Sequence, residues 1–217
     1  MTKPLKKNQK AKELILDAAE NLFAYRGFKG TTTREITREA GVPLGLMSYY
    51  FGTKEDLYRE VIERRSVEHA AAIRASLQSA AEQANGNPTA EMLIRAYFSP
   101  LVERSLRGGE GWKSYIHLLS RAANTPRNEP YVESFDKTYV PVVREFIEIL
   151  KGCHPDADEE AVYWSYYFLS SSIIHILLES GSIDSMSGGK FRSTDLETIL
   201  DKMAPFFAAG MQRLAAA

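Results

Sequence analysis

The fold is decided by residues 27–57, which read GFKGTTTREITREAGVPLGLMSYYFGTKEDL. Before this stretch, apolar residues recur at helical spacing, and Gly27 ends that helix. Thr32 and Glu35 then match the pattern of a capping box, in which each side chain accepts a hydrogen bond from the other residue's backbone N–H. We therefore expect a new helix to begin directly after Thr32.

A short turn follows this second helix. Gly41 stops it after Ala40, because glycine tolerates the positive φ that a tight turn requires. Pro43 can begin a further helix that continues to Tyr50. Two short helices joined by a glycine-containing turn are the pattern of a helix-turn-helix, with Ile36, Ala40 and Val42 as its apolar contact.

The rest of the chain also predicts helices. No alternating run of β-branched residues is bounded by hairpin turns, so the fold class is all-α. Thr53 is expected to cap a long fourth helix, and Thr194 with Glu197 predicts a second capping box. The predicted helices after Thr53 cover residues 54–84, 89–107, 111–123, 129–151, 157–180 and 194–213.

Charge is distributed unevenly along the 217 residues, although the formal net charge is only −1. Residues 1–60 hold 11 Lys and Arg against 8 Asp and Glu, whereas residues 61–217 hold 16 against 20. The basic start contains Lys3, Lys6, Lys7, Lys10 and Lys12. It indicates either a polyanionic partner or a solvated, frayed terminus. Cys153 is the single cysteine, which excludes a disulfide within the chain and fits a reducing compartment.

Residue types in the helix-turn-helix fit contacts to a DNA duplex. Hydroxyl and cationic side chains at helix N-termini suit phosphate. In the last helix, Leu44 can contact a thymine methyl, and the helix-weakening Gly45 fits a close approach of the backbone to a partner. Packing of this helix into the core is the alternative interpretation. The predicted DNA-binding residues are Thr32, Thr33, Arg34, Pro43, Leu44, Gly45, Ser48, Tyr49, Tyr50 and Lys54.

At these residues the chain resembles the TetR family of transcriptional regulators. The resemblance spans residues 12–60 and rests on Gly27, Thr31-Thr32-Thr33, Ile36, Ala40-Gly41-Val42, Pro43-x-Gly45, Ser48-Tyr49-Tyr50-Phe51, Lys54 and Leu57. Three positions depart from the family pattern: Pro43 replaces a serine, Ser48 replaces the commoner tyrosine, and Tyr50 replaces a histidine. These departures bear on which operator sequence is recognised.

The resemblance implies an N-terminal three-helix helix-turn-helix DNA-binding domain over residues 1–56. It also implies a C-terminal helical ligand-binding and dimerisation domain over residues 57–217. The expected partners are a palindromic DNA operator, a second copy bound through the last two helices, and a small hydrophobic or amphipathic effector. Effector binding is expected to tilt the helix that begins at Lys54 and to release DNA from a repressor.

Aromatic and polar residues interleave in the C-terminal part, as in an apolar ligand cavity with a few polar anchors. Arg121 is the best candidate for an anionic group of the ligand. Each of these residues taken singly fits a place in the core or on the surface better than a contact with ligand. The predicted ligand-binding residues are Trp112, Tyr115, His117, Arg121, Phe135, Tyr139, Trp164, Phe168, Ser171 and His175.

No catalytic or metal-binding set emerges from the sequence. His117, His154 and His175 lack metal-ligand spacing with carboxylates, so we expect no cofactor, no metal and no enzymatic activity. A helical enzyme, or a ligand-binding module without DNA function, is the alternative. Residues 161–178 carry no formal charge, but their serines, tyrosines and acidic flanks favour a protein core or subunit interface over a membrane span. The expected location is the cytoplasm.

Overall fold

The computed structural model describes residues 3–215, with the side chains of residues 9–129 and 131–213. The described part of the chain contains ten α-helices and no strand, so the all-α prediction is confirmed. A single 3-10 turn at Pro130–Val132 precedes the seventh helix. The helices are α1 Lys3–Arg26, α2 Thr33–Glu39, α3 Gly45–Phe51, α4 Lys54–Gln83, α5 Ala90–Arg107, α6 Glu110–Ala123, α7 Glu133–Cys153, α8 Glu159–Ile176, α9 Ser182–Met186 and α10 Leu196–Ala215.

Side chains cap the starts of α2, α4, α5 and α10. Thr53 accepts a hydrogen bond from the backbone N–H of Asp56 at 3.0 Å and thereby caps α4. The capping box predicted for Thr194 and Glu197 is wrong. The helix α10 begins at Leu196, and its cap is Asp195, one residue later than predicted. The Asp195 carboxylate accepts a hydrogen bond from the N–H of Thr198 at 3.2 Å. The short α9 was not predicted. The segment predicted as one helix over 129–151 instead begins with the 3-10 turn.

The chain forms two compact units, Met1–Val67 with Gly108–Thr138 and Glu68–Arg107 with Tyr139–Ala217. The first unit therefore recruits α6 and the segment after it in addition to the N-terminal helices. These units are defined by packing, whereas the boundary expected between residues 56 and 57 separates two functions. That functional boundary stays a prediction.

The first unit is built around the packing of α1 on α6 and α2. Its core includes the fully buried Ile15, Phe23 and Tyr115. The hydroxyl of Tyr115 donates to the backbone carbonyl of Ile62 at 2.7 Å, so that this buried polar group is satisfied. Residues of α1, α4 and α6 thus form a single core beneath the helix-turn-helix.

In the second unit, α10 packs on α5 and α8. Leu93, Val142, Phe146 and Leu169 are fully buried there. No helix among the described residues is both long enough and apolar enough to cross a membrane.

Candidate nucleic-acid interface

The turn between α2 and α3 is stabilised by backbone hydrogen bonds and by buried apolar side chains of the two helices. Gly41 has φ +65°, and the N–H of Val42 donates to the carbonyl of Thr37 at 3.0 Å. Ile36 on α2 and Met47 on α3 are almost fully buried. Because both helices bury one side in this way, their other sides remain available for a partner.

The predicted capping box at the start of α2 is confirmed. The Thr32 hydroxyl accepts from the Glu35 N–H at 3.2 Å, and the Glu35 carboxylate accepts from the Thr32 N–H at 2.9 Å. The same carboxylate also accepts from the Thr32 hydroxyl at 2.7 Å. These bonds to Thr32 hold the pKa of Glu35 below its usual value. Thr32 therefore caps α2 and stabilises its first turn. Its contact with phosphate stays a prediction.

The third helix presents most of its predicted contact residues to solvent. Pro43, Leu44, Gly45, Ser48 and Tyr49 are exposed, and the Tyr49 side chain is 74% accessible. A Cβ built on Gly45 would have no atom within 4 Å. None of the residues that the structure describes therefore requires glycine at this position, which agrees with a close approach from outside. Tyr50 is half-buried, and its ring meets that of Tyr49 edge-on at 5.0 Å between centroids.

The recognition and packing interpretations of α3 are compatible, because they concern different sides of the helix. Met47 and Phe51 point into the core, whereas Leu44, Ser48 and Tyr49 point outward.

The two predicted cationic contacts differ in their surroundings. Arg34 is exposed, and its guanidinium makes no hydrogen bond or ion pair with any residue whose side chain the structure describes; its backbone carbonyl accepts from the Thr37 hydroxyl. Lys54 lies half-buried at the start of α4, and its Nζ donates to the carbonyls of Phe28 and Thr31, at 3.0 Å each. The ammonium group also lies 4.1 Å from the centre of the Phe28 ring. One of its three N–H groups remains for a phosphate, so Lys54 both braces the loop before α2 and stays a predicted DNA contact.

Part of the basic start can be located. The Nζ of Lys12 lies 2.7 Å from a carboxylate oxygen of Glu60 and 5.3 Å from the centre of the Phe51 ring. Lys10 is exposed. The side chains of Lys3, Lys6 and Lys7 lie outside the described residues.

Five of the ten predicted ligand-binding residues lie in the first unit. Arg121 donates from Nε to the carbonyl of Ala24 at 2.5 Å and from Nη2 to that of Tyr25 at 3.1 Å, so it caps the last turn of α1. The remaining four have these positions: Tyr115 is fully buried, His117 is buried against the Tyr25 ring, Trp112 lies beneath the Arg65 guanidinium, and Phe135 lies beneath that of Arg127.

The other five lie in the second unit. Tyr139 is buried, with its ring centre 6.0 Å from that of His69. Four residues form an exposed stripe along α8: Trp164, Phe168, Ser171 and His175. An open, largely apolar groove of about 470 Å³ runs between α7 and α8, and of the ten residues only Trp164 lines it. Ligand binding by the ten residues stays a prediction.

Sequence reasoning missed the residues that hold the loop before α2. Phe28 and Lys29 in this loop contact Tyr131 and Glu129, which lie about one hundred positions further along the chain. Gly27 and Gly30, which flank Phe28 and Lys29, indicate a loop in the sequence. The distant partners of Phe28 and Lys29 cannot be read from the sequence. Within the described ranges, no group of three His, Cys, Asp or Glu side chains is placed to hold a metal ion.

Two family models match the chain. Residues 15–61 match the model described as bacterial regulatory proteins of the tetR family, and residues 95–210 match a tetracyclin repressor-like C-terminal domain. The first match contains the whole helix-turn-helix, and the second spans about half of the chain.

Relatives agree with both models. The chain is 25% identical over 180 residues to the HTH-type transcriptional regulator LmrA of Bacillus subtilis, covering 82% of this chain and 87% of the relative. It is 44% identical over 52 residues to the HTH-type dual regulator CecR of Shigella flexneri, covering 24% and 23% of the two chains.

Solved structures share the fold. A transcriptional regulator from Rhodococcus sp. RHA1 superposes with TM-score 0.63 at 19% identity, covering 92% of this chain and 96% of that one. The fatty acid degradation regulator FadR of Bacillus halodurans gives 0.62 at 15% identity, covering 92% and 95%.

Proposed function

The chain belongs to the TetR family of helix-turn-helix transcriptional regulators, and we propose that it represses transcription as a homodimer on a palindromic operator until a small-molecule effector releases it. The observation that carries the proposal is the exposed side of α3, where Leu44, Ser48 and Tyr49 lie around Gly45, whose added Cβ would meet no described atom beyond its chain neighbours and its own helix backbone within 4 Å. The site of action is the cytoplasm, where the DNA lies.

The predicted contacts divide by chemistry. Arg34 and Lys54 carry the charges that bind phosphate, and Thr32, Thr33 and Tyr50 add hydroxyl groups that can donate to it. Pro43 and Gly45 allow the start of α3 to approach the major groove, while Leu44, Ser48 and Tyr49 contact base edges. In this proposal, phosphate contacts set affinity and its dependence on salt, and α3 sets sequence preference.

Dimerisation follows from exposed apolar side chains on α8 and α10, within the second unit. Trp164 and Phe168 are each about half accessible, and Phe206 on α10 is 73% accessible. They lie on two helices that pack against each other. A second copy that brings the same two helices covers this surface in an antiparallel four-helix contact.

The domain assignment keeps residues 1–56 for DNA binding and residues 57–217 for effector binding and dimerisation. The match of residues 95–210 to a tetracyclin repressor-like C-terminal domain supports the effector part. The effector is a small hydrophobic or amphipathic molecule, in keeping with the aromatic side chains of this region. Effector binding changes the tilt of α4 and thereby the separation of the two recognition helices. A differential affinity of a few kcal/mol between the two states is sufficient.

Selection of bound DNA from a random pool, at one fixed salt concentration, tests the DNA-binding part. We expect a two-fold symmetric site with half-sites about 34–36 Å apart, since each protomer reads one major groove. Tyr49→Ala should change the preferred bases, and a variant that kept full discrimination would remove Tyr49 from the base-reading set. A chain without DNA function would show no salt-dependent operator binding.

Titration of the operator complex with a metabolite panel tests release. A compound that binds the protein and weakens operator binding at constant salt supports induction. A bound compound that leaves operator affinity unchanged would exclude induction by that compound.

A further inference from the structure

The loop Gly27–Thr31, which joins α1 to α2, is held from two directions. From α4, Lys54 donates to the carbonyls of Phe28 and Thr31. From the segment Glu129–Tyr131, the ring of Tyr131 stacks on that of Phe28, with centroids 4.0 Å apart and planes 18° apart. Glu129 accepts a hydrogen bond from Lys29 at 2.5 Å. The Phe28 ring is therefore enclosed between an ammonium group and an aromatic ring from distant parts of the chain.

The conformation of this loop fixes where α2 begins. The Thr31 hydroxyl donates to the carbonyl of Gly27 at 2.9 Å, and Thr32 follows directly as the N-terminal cap of α2. A Cβ on Gly30 would lie 2.4 Å from the carbonyl oxygen of Arg26, so the backbone is packed too closely for any other residue. Displacement of Phe28 would consequently displace Thr32 and the first turn of α2.

The two contacts from the distant segment differ in strength. Tyr131 is 9% accessible, and its ring also meets the buried Tyr58 edge-on at 5.2 Å. The Lys29 side chain is 74% accessible, so its ion pair with Glu129 contributes little by itself. The stacked ring is therefore the main contact, and the exposed ion pair is an addition to it.

We propose that Tyr131, assisted by Glu129, is a positioning residue for operator recognition: it contacts no DNA and holds the Phe28 loop so that α2 and α3 meet the groove in the correct pose. This inference rests on the proposed DNA-binding function. It adds to the DNA-reading unit a segment that lies about eighty residues beyond the helix-turn-helix in sequence.

The consequence is specific to sequence-dependent binding. Non-specific binding depends on the phosphate-facing charges, which tolerate small changes of pose. Base contacts require aligned hydrogen bonds and close apolar contacts. Loss of the Tyr131 ring should therefore weaken operator binding and leave binding to random duplex and its salt dependence intact.

The test compares Tyr131→Ala with Tyr131→Phe in the full chain. Dissociation constants are measured for the selected operator and for a random duplex of equal length, at one salt concentration and a temperature at which each variant is folded. Since an aromatic pair contributes about 0.5–1.5 kcal/mol, Tyr131→Ala should lose roughly two- to twelvefold in operator affinity and nothing on random duplex. Tyr131→Phe, which keeps the ring, should remain within about twofold of the wild type on both.

Two results would overturn the inference. Tyr131→Ala could bind both duplexes as tightly as the wild type, or, while folded, it could lose affinity for the operator and for the random duplex by the same factor. Should Tyr131→Ala not fold, Tyr131→Leu keeps the apolar volume without the flat ring and is read in the same way. A wild-type chain that shows no preference for any selected operator would instead contradict the proposed function, before any variant is measured.

Discussion

Arg65 on α4 donates two hydrogen bonds to the carboxylate of Glu20 on α1, at 2.9 Å from Nε and 3.2 Å from Nη2. Glu20 is only 2% accessible, so the pair joins the two helices inside the first unit. Burial raises the pKa of Glu20, against the opposing effect of the guanidinium. A Cβ on Gly111 would lie 2.6 Å from Nη2 of Arg65, so the absence of a side chain there makes room for the guanidinium.

Replacement of Arg65 by Met should lower the free energy of unfolding by about 3 kcal/mol, because it leaves a buried carboxylate without its partner. Urea denaturation at neutral pH measures the loss. Arg64→Met is the matched control: Arg64 bonds to Asp17 and Glu13, whose side chains are more than half accessible. The Arg64→Met substitution should lower the free energy of unfolding by less than about 1 kcal/mol. Equal losses for the two variants would contradict a special role for the buried pair.

His69 provides a pH-dependent prediction in the second unit. Burial lowers the pKa of His69 to about 3, and the nearby Arg104 acts in the same direction. Because the folded-state pKa lies below the unfolded value near 6.5, the neutral form stabilises the fold above pH 6.5. This contribution is lost as the pH falls toward 3. Between pH 7 and pH 5 the loss should be about 2 kcal/mol.

The contribution of His69 to the pH dependence of stability can be isolated with His69→Gln, whose side chain does not titrate in this range. Denaturation at pH 7 and pH 5 should show a smaller decrease for the variant than for the wild type, by about 2 kcal/mol. If the two proteins lost stability in parallel, protonation of His69 would not be the cause.

The sequence predicted those features that depend on neighbours a few positions away. The Thr32–Glu35 capping box spans three positions, and the turn at Gly41 needs only a local change of backbone conformation, so both were visible. Lys54 is predicted as a DNA contact from its charge at a helix N-terminus and from the family resemblance, and Arg121 as a ligand contact from its charge. In the structure both side chains donate to backbone carbonyls 23 to 97 positions away, which only tertiary packing brings to them, and their contacts with DNA and ligand stay predictions. Residue type indicates which hydrogen-bond donors and charges a side chain offers, whereas tertiary packing determines which groups of the protein it contacts.

Gly45→Ala tests whether the glycine in α3 serves a partner. A methyl group there meets no described atom outside its own helix within 4 Å, and alanine is the better helix former by up to about 1 kcal/mol. We expect unchanged or slightly raised stability together with weaker operator binding, measured by denaturation and by titration of the operator at constant salt. Gly152→Ala is the matched control, since it lies in α7 with equally open surroundings.

The Gly152 variant should leave operator affinity unchanged. A Gly45→Ala protein that binds the operator as tightly as the wild type would show that α3 leaves room for a methyl group in the complex.

The exposed phenyl ring of Phe206 provides a test of the proposed dimer. The side chain is 73% accessible in one chain, and an apolar group of this size at the centre of a subunit contact typically contributes about 2 kcal/mol or more. Phe206→Glu should therefore raise the dimer dissociation constant at least roughly thirtyfold, because two carboxylates would be brought into an apolar contact. Sedimentation equilibrium over a range of concentrations measures the change. Val67→Glu is the control: Val67 is 76% accessible on α4, outside the proposed contact, so its variant should dimerise like the wild type. A Phe206→Glu protein that remained dimeric at the wild-type dissociation constant would exclude this surface of α10, and with it the four-helix arrangement.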